Sequence, residues 1–156
     1  MSNFLIKTPG RTGSHIFTDY LRKNHYNNVK HCQEMWVPDN TENWIFILSK
    51  RRNWFNMACS RVITSHTKQY GPYKITEKLQ VNTDIESLID SAGYAKNWYT
   101  TFETQSKKYT WKAVYTIYYE DLKHQAVKNH KLSNYINYET YFDNISDIKK
   151  EFLKLC

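Results

Sequence analysis

The chain predicts an α/β fold of three layers built on a mainly parallel sheet. The prediction rests on short β-favouring apolar runs, on stretches of helical period that separate them, and on one run, Trp44 to Ser49 (WIFILS), with no polar break until its end. An unbroken apolar run of that length is the pattern of a strand covered on both faces, as strands of parallel sheets are. Strands that alternate with helices imply parallel pairing with right-handed crossovers.

The first element expected is a strand over Phe4 to Thr8, ending at Pro9-Gly10. A helix follows over Ser14 to Lys23, with Ile16, Phe17, Tyr20 and Leu21 on one face. Asn28 to Cys32 reads as a weaker strand before a polar loop with Pro38, Asp39 and Asn40. After Trp44 to Ser49 the period becomes helical from Asn53, and Trp54, Phe55, Ala58, Cys59, Val62 and Ile63 form a stripe. Thr83 and Glu86 have the spacing of a capping box. Behind them Ile85, Leu88, Ile89, Ala92, Ala95, Tyr99 and Phe102 continue a long helix, with Gly93 as a candidate kink. Ala113 to Tyr119 reads as another strand, with Glu120-Asp121 where a following helix begins and its dipole favours acids. A last helix is expected from about Asn144 to Leu155.

With 156 residues the sequence fits one domain over 1–156, long enough to bury a core without staples. Aromatic residues make up 16% of it, which argues for order rather than disorder. Cys32, Cys59 and Cys156 are far apart, without CxxC or metal-ligand spacing, and read as reduced thiols of a cytoplasmic protein, Cys59 as core filler. No run is long enough to span a bilayer and the N-terminus lacks a signal-peptide pattern. A net charge of +7 favours anionic partners. The cations are spread out, the densest cluster being Lys50-Arg51-Arg52, and no nucleic-acid signature is present, so nucleic acid is not expected as a partner.

Chemistry concentrates first in Thr8 to His15, TPGRTGSH. A loop between a strand and a helix can converge backbone N–H groups on an anion, with the helix dipole adding to them, and Gly10 and Gly13 permit close approach. Such a P-loop-like turn also serves as a plain connector. A Walker A loop needs a Lys before its hydroxyl residue, and Gly13-Ser14-His15 has none, which disfavours a standard ATPase or GTPase. The second place is ILSKRRNWFNMACSR, where Arg52 ends a strand and Ser60 lies eight residues later, about two turns into a helix. Taken alone, Arg51 and Arg52 also fit a solvated pair, and Ser60 a helix-surface hydroxyl.

An Arg at a strand end followed at that spacing by Ser resembles the 3′-phosphate-binding element of sulfotransferases that use 3′-phosphoadenosine 5′-phosphosulfate (PAPS). Arg11-Thr12-Gly13-Ser14 resembles their 5′-phosphosulfate loop, in the R-S-G-S form of bacterial carbohydrate sulfotransferases of the trehalose type. Tyr119-Glu120-Asp121-Leu122 is similar to the Y-E-D-L segment after a late core strand of the same enzymes. The resemblance implies PAPS as cofactor, 3′-phosphoadenosine 5′-phosphate as product, and a carbohydrate or other small hydroxyl compound as acceptor. It implies cofactor binding by Arg11, Thr12, Gly13, Ser14, His15, Arg52 and Ser60, with Arg11 also stabilising the leaving phosphate where many relatives have Lys.

The general base of the trehalose-type branch is a Glu after the first helix, and Glu34 falls in that place. Partial cover by Met35 and Trp36 would desolvate its carboxylate and make it a stronger base. His31 is the second candidate. The chain departs from the resemblance in its shortness, in lacking a late R-K-G segment, and in having His15 directly after the loop. Two other functions fit the residues: a divergent nucleotide or small-molecule kinase, and a non-catalytic module that binds through its basic surface. Acceptor contacts are expected from Val37 to Asn43 and Lys68 to Asn82. Trp54, Trp98, Tyr99 and Trp111 read as core packing rather than as a platform for adenine.

Overall fold

A computed structural model of the chain describes residues 2–10, 14–24, 26, 28–68, 83–121, 142 and 145–155. Its strands are β1 (Asn3–Lys7), β2 (Val29–Cys32), β3 (Trp44–Lys50) and β4 (Ala113–Tyr118), and its helices α1 (Ser14–Lys23), α2 (Trp54–Thr67), α3 (Ile85–Lys108) and α4 (Ile145–Leu155). The expected α/β class is what the chain adopts: one four-stranded sheet of order β2-β1-β3-β4 with every pair parallel. By internal packing the chain divides into two compact units, Met1–Arg52 with Ala95–Lys131, and Asn53–Tyr94 with Leu132–Cys156.

The first unit holds the sheet, and the period of two along β1 and β3 builds its layers. Phe4 and Ile6, with Ile47 beside them in register, share one face and bury against Leu21 and Phe17 of α1 and Val29 of β2. Leu5 and Lys7 point the other way, as do their register partners Phe46 and Leu48. On that side Phe102 of α3 lies beneath the Lys7 ammonium and Trp111 packs on Phe46 with ring centroids 4.8 Å apart. Helices on both faces explain why β1 and β3 are apolar almost without interruption. Burying each large apolar side chain contributes roughly 1.5–3 kcal/mol.

The buried stripe of α1 differs from the expected one. It runs Ser14, Thr18, Leu21, while Tyr20 is 51% exposed. Two hydroxyl residues can face inward because each has a local partner: Thr18 Oγ1 donates to the Ser14 carbonyl at 2.8 Å, and Ser14 Oγ meets His31. Among the described strands β4 ends the sheet, and its Val114 and Tyr115 are exposed.

In the second unit the expected stripe of α2 forms a core. Phe55, Ala58, Cys59, Val62 and Ile63 pack with Leu88 and Ala92 of α3 and with Ile145, Ile148 and Phe152 of α4. Asn53 caps α2, its side chain accepting from Asn56 N–H at 2.9 Å. The cap of α3 is Asp84 rather than Thr83. Its carboxylate accepts from Ser87 N–H at 2.7 Å, the same three-residue step with a stronger acceptor, and this bond holds the Asp84 pKa below the ordinary value. The helix is continuous through Gly93. No described helix is long and apolar enough to cross a membrane.

Candidate functional site

Strand order fixes where a ligand site is expected. From β1 the chain turns one way to β2, and from β3 it continues the other way to β4, so the direction of winding reverses between β1 and β3. In open parallel sheets such a reversal opens a crevice at the carboxyl ends of the two strands. Here those ends carry Lys7-Thr8-Pro9-Gly10 and Lys50-Arg51-Arg52, and Tyr119-Glu120-Asp121 follows the neighbouring β4.

At the end of β1 the loop begins with a constrained turn. Gly10 has φ +86°, a backbone conformation that favours glycine, and a Cβ there would also crowd the Gln33 side chain at 3.2 Å. Its N–H donates to Thr8 Oγ1 at 3.1 Å and is therefore engaged within the turn. Arg11, Thr12 and Gly13 lie outside the described residues. Ser14 opens α1 almost fully buried, and its Oγ lies 2.7 Å from Nε2 of His31 on β2. The ring of His15 packs on His31 with centroids 4.5 Å apart. Burial, helped by His15 and Arg22, pushes the His31 pKa down to about 4, so the ring is neutral at pH 7 and a weak proton acceptor.

Lys7, the last residue of β1, has no solvent exposure. Its ammonium donates to the carbonyls of Glu34 and Trp36, both at 2.5 Å, and to Cys32 Sγ at 3.2 Å. Burial pulls its pKa below the usual lysine value, while Cys32 and Glu34 act the other way. Lys7 thus pins the segment that carries Glu34, and Gln105 of α3 supports it by donating to the Met35 carbonyl at 2.8 Å. The cover expected over Glu34 is absent: Glu34 is exposed, Met35 is 53% exposed and Trp36 44%. Anchoring here acts on the backbone and leaves the carboxylate in water.

At the ends of β3 and β4 the structure brings two sequence motifs together. Arg52 holds Asp121 through both arms of its guanidinium, at 2.6 and 2.9 Å, and its backbone N–H donates to Glu120 at 3.0 Å. Its guanidinium lies over the Tyr118 ring at 4.0 Å, and the bond to Asp121 raises its pKa further. Arg51 is buried over the Tyr119 ring at 4.5 Å, with Glu120 3.9 Å from its Nε, and its N–H donates to Tyr99 Oη at 3.1 Å. Burial pushes the Tyr99 phenol above its ordinary pKa, so it stays protonated. Lys50 pairs with Glu103 of α3. Ser60 is buried within α2 in the second unit, whereas Arg52 closes the first.

Among the described residues no group of three or more His, Cys, Asp or Glu could hold a metal ion. Sequence reasoning missed Lys7 and Glu103, and read Tyr99 as core packing, which it is, without its bond to Arg51. A strand-end lysine reads as exposed, and nothing local says that carbonyls from a distant segment will surround it. Compared with protein-family models, curated proteins and solved structures, the chain matches none of them.

Proposed function

We propose that the chain is a PAPS-dependent sulfotransferase whose acceptor is the hydroxyl of a carbohydrate or similar small polar metabolite. The observation that carries the reading is the meeting of Arg51-Arg52 with Tyr119-Glu120-Asp121 at the carboxyl ends of neighbouring strands, next to the strand that leads into the Gly10 turn. The resemblance that brought these motifs to notice is one of short segments, whereas the shared strand ends are a property of the fold.

The residues fit the cofactor's 3′-phosphate on one condition. Asp121 occupies the fork of Arg52 as a phosphate would, with two parallel bonds, so the fork is already formed. The pair is exposed, 52% and 61%, and water screens it, so a dianionic phosphate can displace the carboxylate. Ser14 and Arg11 would act at the 5′ end, and Thr12, Gly13 and His15 would complete the grip. PAPS, when bound, supplies the sulfuryl group.

Transfer of a trigonal anionic group in line between two oxygens depends on positioning and charge stabilisation more than on covalent chemistry by the protein. Glu34 serves best as the base, because its carboxylate is open to an acceptor hydroxyl while Lys7 fixes its backbone. His31 serves as a positioning residue for Ser14, since its depressed pKa makes it a poor base. Calorimetric titration with 3′-phosphoadenosine 5′-phosphate tests the reading: binding at micromolar strength, about −8 kcal/mol, is expected. Arg52→Ala should weaken it, and Glu34→Gln should leave it intact while lowering turnover about 100-fold or more. Absence of binding by the unmodified chain rejects the proposal.

A further inference from the structure

Lys7 and Cys32 meet across two parallel strands. They are register partners at the carboxyl ends of β1 and β2, so their side chains leave the sheet on the same face. Lys7 Nζ lies 3.2 Å from Cys32 Sγ. An amine and a thiol in contact are two nucleophiles, inert toward each other while the sulfur is reduced. Oxidation to the sulfenic acid makes the sulfur an electrophile, and the amine is then already in place to attack it.

The hydrogen bonds aim the pair. The Lys7 ammonium spreads its three N–H bonds over three acceptors, the carbonyls of Glu34 and Trp36 and the Cys32 sulfur. Loss of the proton directed at sulfur leaves both carbonyls with a donor and turns the nitrogen lone pair onto Sγ. Burial, which lowers the Lys7 pKa, favours that neutral amine. The Cys32 S–H donates to the Glu34 carbonyl at 3.4 Å, so its proton does not stand between sulfur and nitrogen. Cys32 is half-buried, whereas Lys7 has no solvent exposure. A small oxidant therefore reaches the sulfur from the solvent side while the amine waits on the protein side. Cys59 is fully buried in the core of the second unit and offers no such entry.

We propose that Lys7 and Cys32 form a peroxide-sensitive modification site, where hydrogen peroxide drives a covalent sulfenamide bond between Nζ and Sγ. Cys32 attacks the peroxide first: the O–O bond breaks, sulfur takes one oxygen as the sulfenic acid, and the other oxygen leaves as water. The neutral Lys7 amine then attacks sulfur opposite the S–O bond. The N–S bond forms, the S–O bond breaks, and hydroxide departs with one amine proton as a second water. One thiol, one amine and one peroxide thus give one sulfenamide and two waters, with sulfur oxidised and peroxide reduced by two electrons. An added thiol reverses the step by attacking sulfur and releasing the amine, and a second thiol frees Cys32 from the resulting disulfide. The product nitrogen keeps one N–H, so one of the two loop carbonyls loses its donor. Oxidation would therefore clamp the two strand ends together while changing the hold on the segment that carries Glu34. Nothing in this step depends on sulfuryl transfer.

Hydrogen peroxide is the probe, applied to the folded full chain carrying Cys156→Ser so that the terminal thiol cannot join a disulfide. The intact mass should fall by about 2 Da, for two hydrogens lost, and dithiothreitol should restore it. Trypsin cannot cleave after a blocked Lys7, so a digest without reductant should release residues 1–11 joined to residues 31–50. Cys32→Ser should abolish the joined peptide. The chain unfolded in urea should form at least about tenfold less of it, because the folded contact supplies the proximity. Cys32 left reduced, or carried to sulfinic or sulfonic acid with Lys7 still cleaved, overturns the proposal. So does equal yield in folded and unfolded chains, or a mass loss that maps to a disulfide between Cys32 and Cys59.

Discussion

Two groups of cations in the first unit are treated in opposite ways. At the carboxyl ends of β1 and β3, Lys7, Lys50, Arg51 and Arg52 are each engaged, by loop carbonyls, by Glu103, by Glu120 or by Asp121. On α1 and β2, Arg22 and Lys30 have no carboxylate partner among the described residues. Positive charge that is answered from within holds a structure together. Positive charge left unanswered raises a local potential and waits for an outside partner. Removing a cation should therefore cost folding stability in the first group and leave it untouched in the second.

The comparison breaks most visibly at Lys7. Lys7→Met keeps the length and apolar stem but cannot donate to the carbonyls of Glu34 and Trp36, and urea denaturation should show a loss of about 3 kcal/mol. If the loss were below about 0.5 kcal/mol, engagement by carbonyls would not be what holds this segment.

The next effect comes from β2. His31 has its folded pKa lowered from 6.5 to about 4, so the unfolded chain binds the proton first as pH falls. Stability from this group is whole above pH 6.5, is lost as pH drops toward about 4, and the loss should reach roughly 2 kcal/mol. Ser14, His15 and Arg22 face the ring, and His31→Gln should flatten that slope in denaturation curves at pH 7.5 and 4.5. A slope unchanged in the variant places the acid sensitivity elsewhere.

A smaller loss is expected for Tyr99→Phe, which leaves the Arg51 N–H without its acceptor and should cost about 1 kcal/mol in the same assay. Smallest of all, Lys30→Gln, at an exposed position, should move stability by less than about 0.5 kcal/mol. A clear destabilisation there would show that Lys30 belongs with the answered cations after all.

How much of this could be read from the residues depends on the range of the interaction. β1, β3 and the α2 stripe follow from period, because a buried face of one element writes itself into every second or every third and fourth position, whereas α1 was legible as a helix but not in its buried face. The α3 cap shifted by one residue, since Thr83 and Asp84 both sit three positions before a suitable partner and only the fold chooses. Fold class and the strand ends were legible for the same reason as the strands. The occupants of those ends were not. That Asp121 would fill the fork of Arg52, that Met35 and Trp36 would leave Glu34 uncovered, and that Lys7 would be buried are outcomes of segments far apart in sequence meeting at a sheet edge. The meeting of Arg22 with β2 was equally hidden: Arg22 looks like an ordinary surface cation until α1 is laid against that strand.

The burial of Lys7 has one more consequence. A primary amine with a lowered pKa is intrinsically more reactive toward acylating reagents, yet the folded chain gives reagent no access to this one. Surface lysines are modified at the rate of the chemistry, whereas Lys7 is modified only in the moments when β1 and the segment after β2 separate. The N-terminal peptide ending at Lys7 is therefore a built-in counter of those openings, and any ligand that holds the segment closed will slow it.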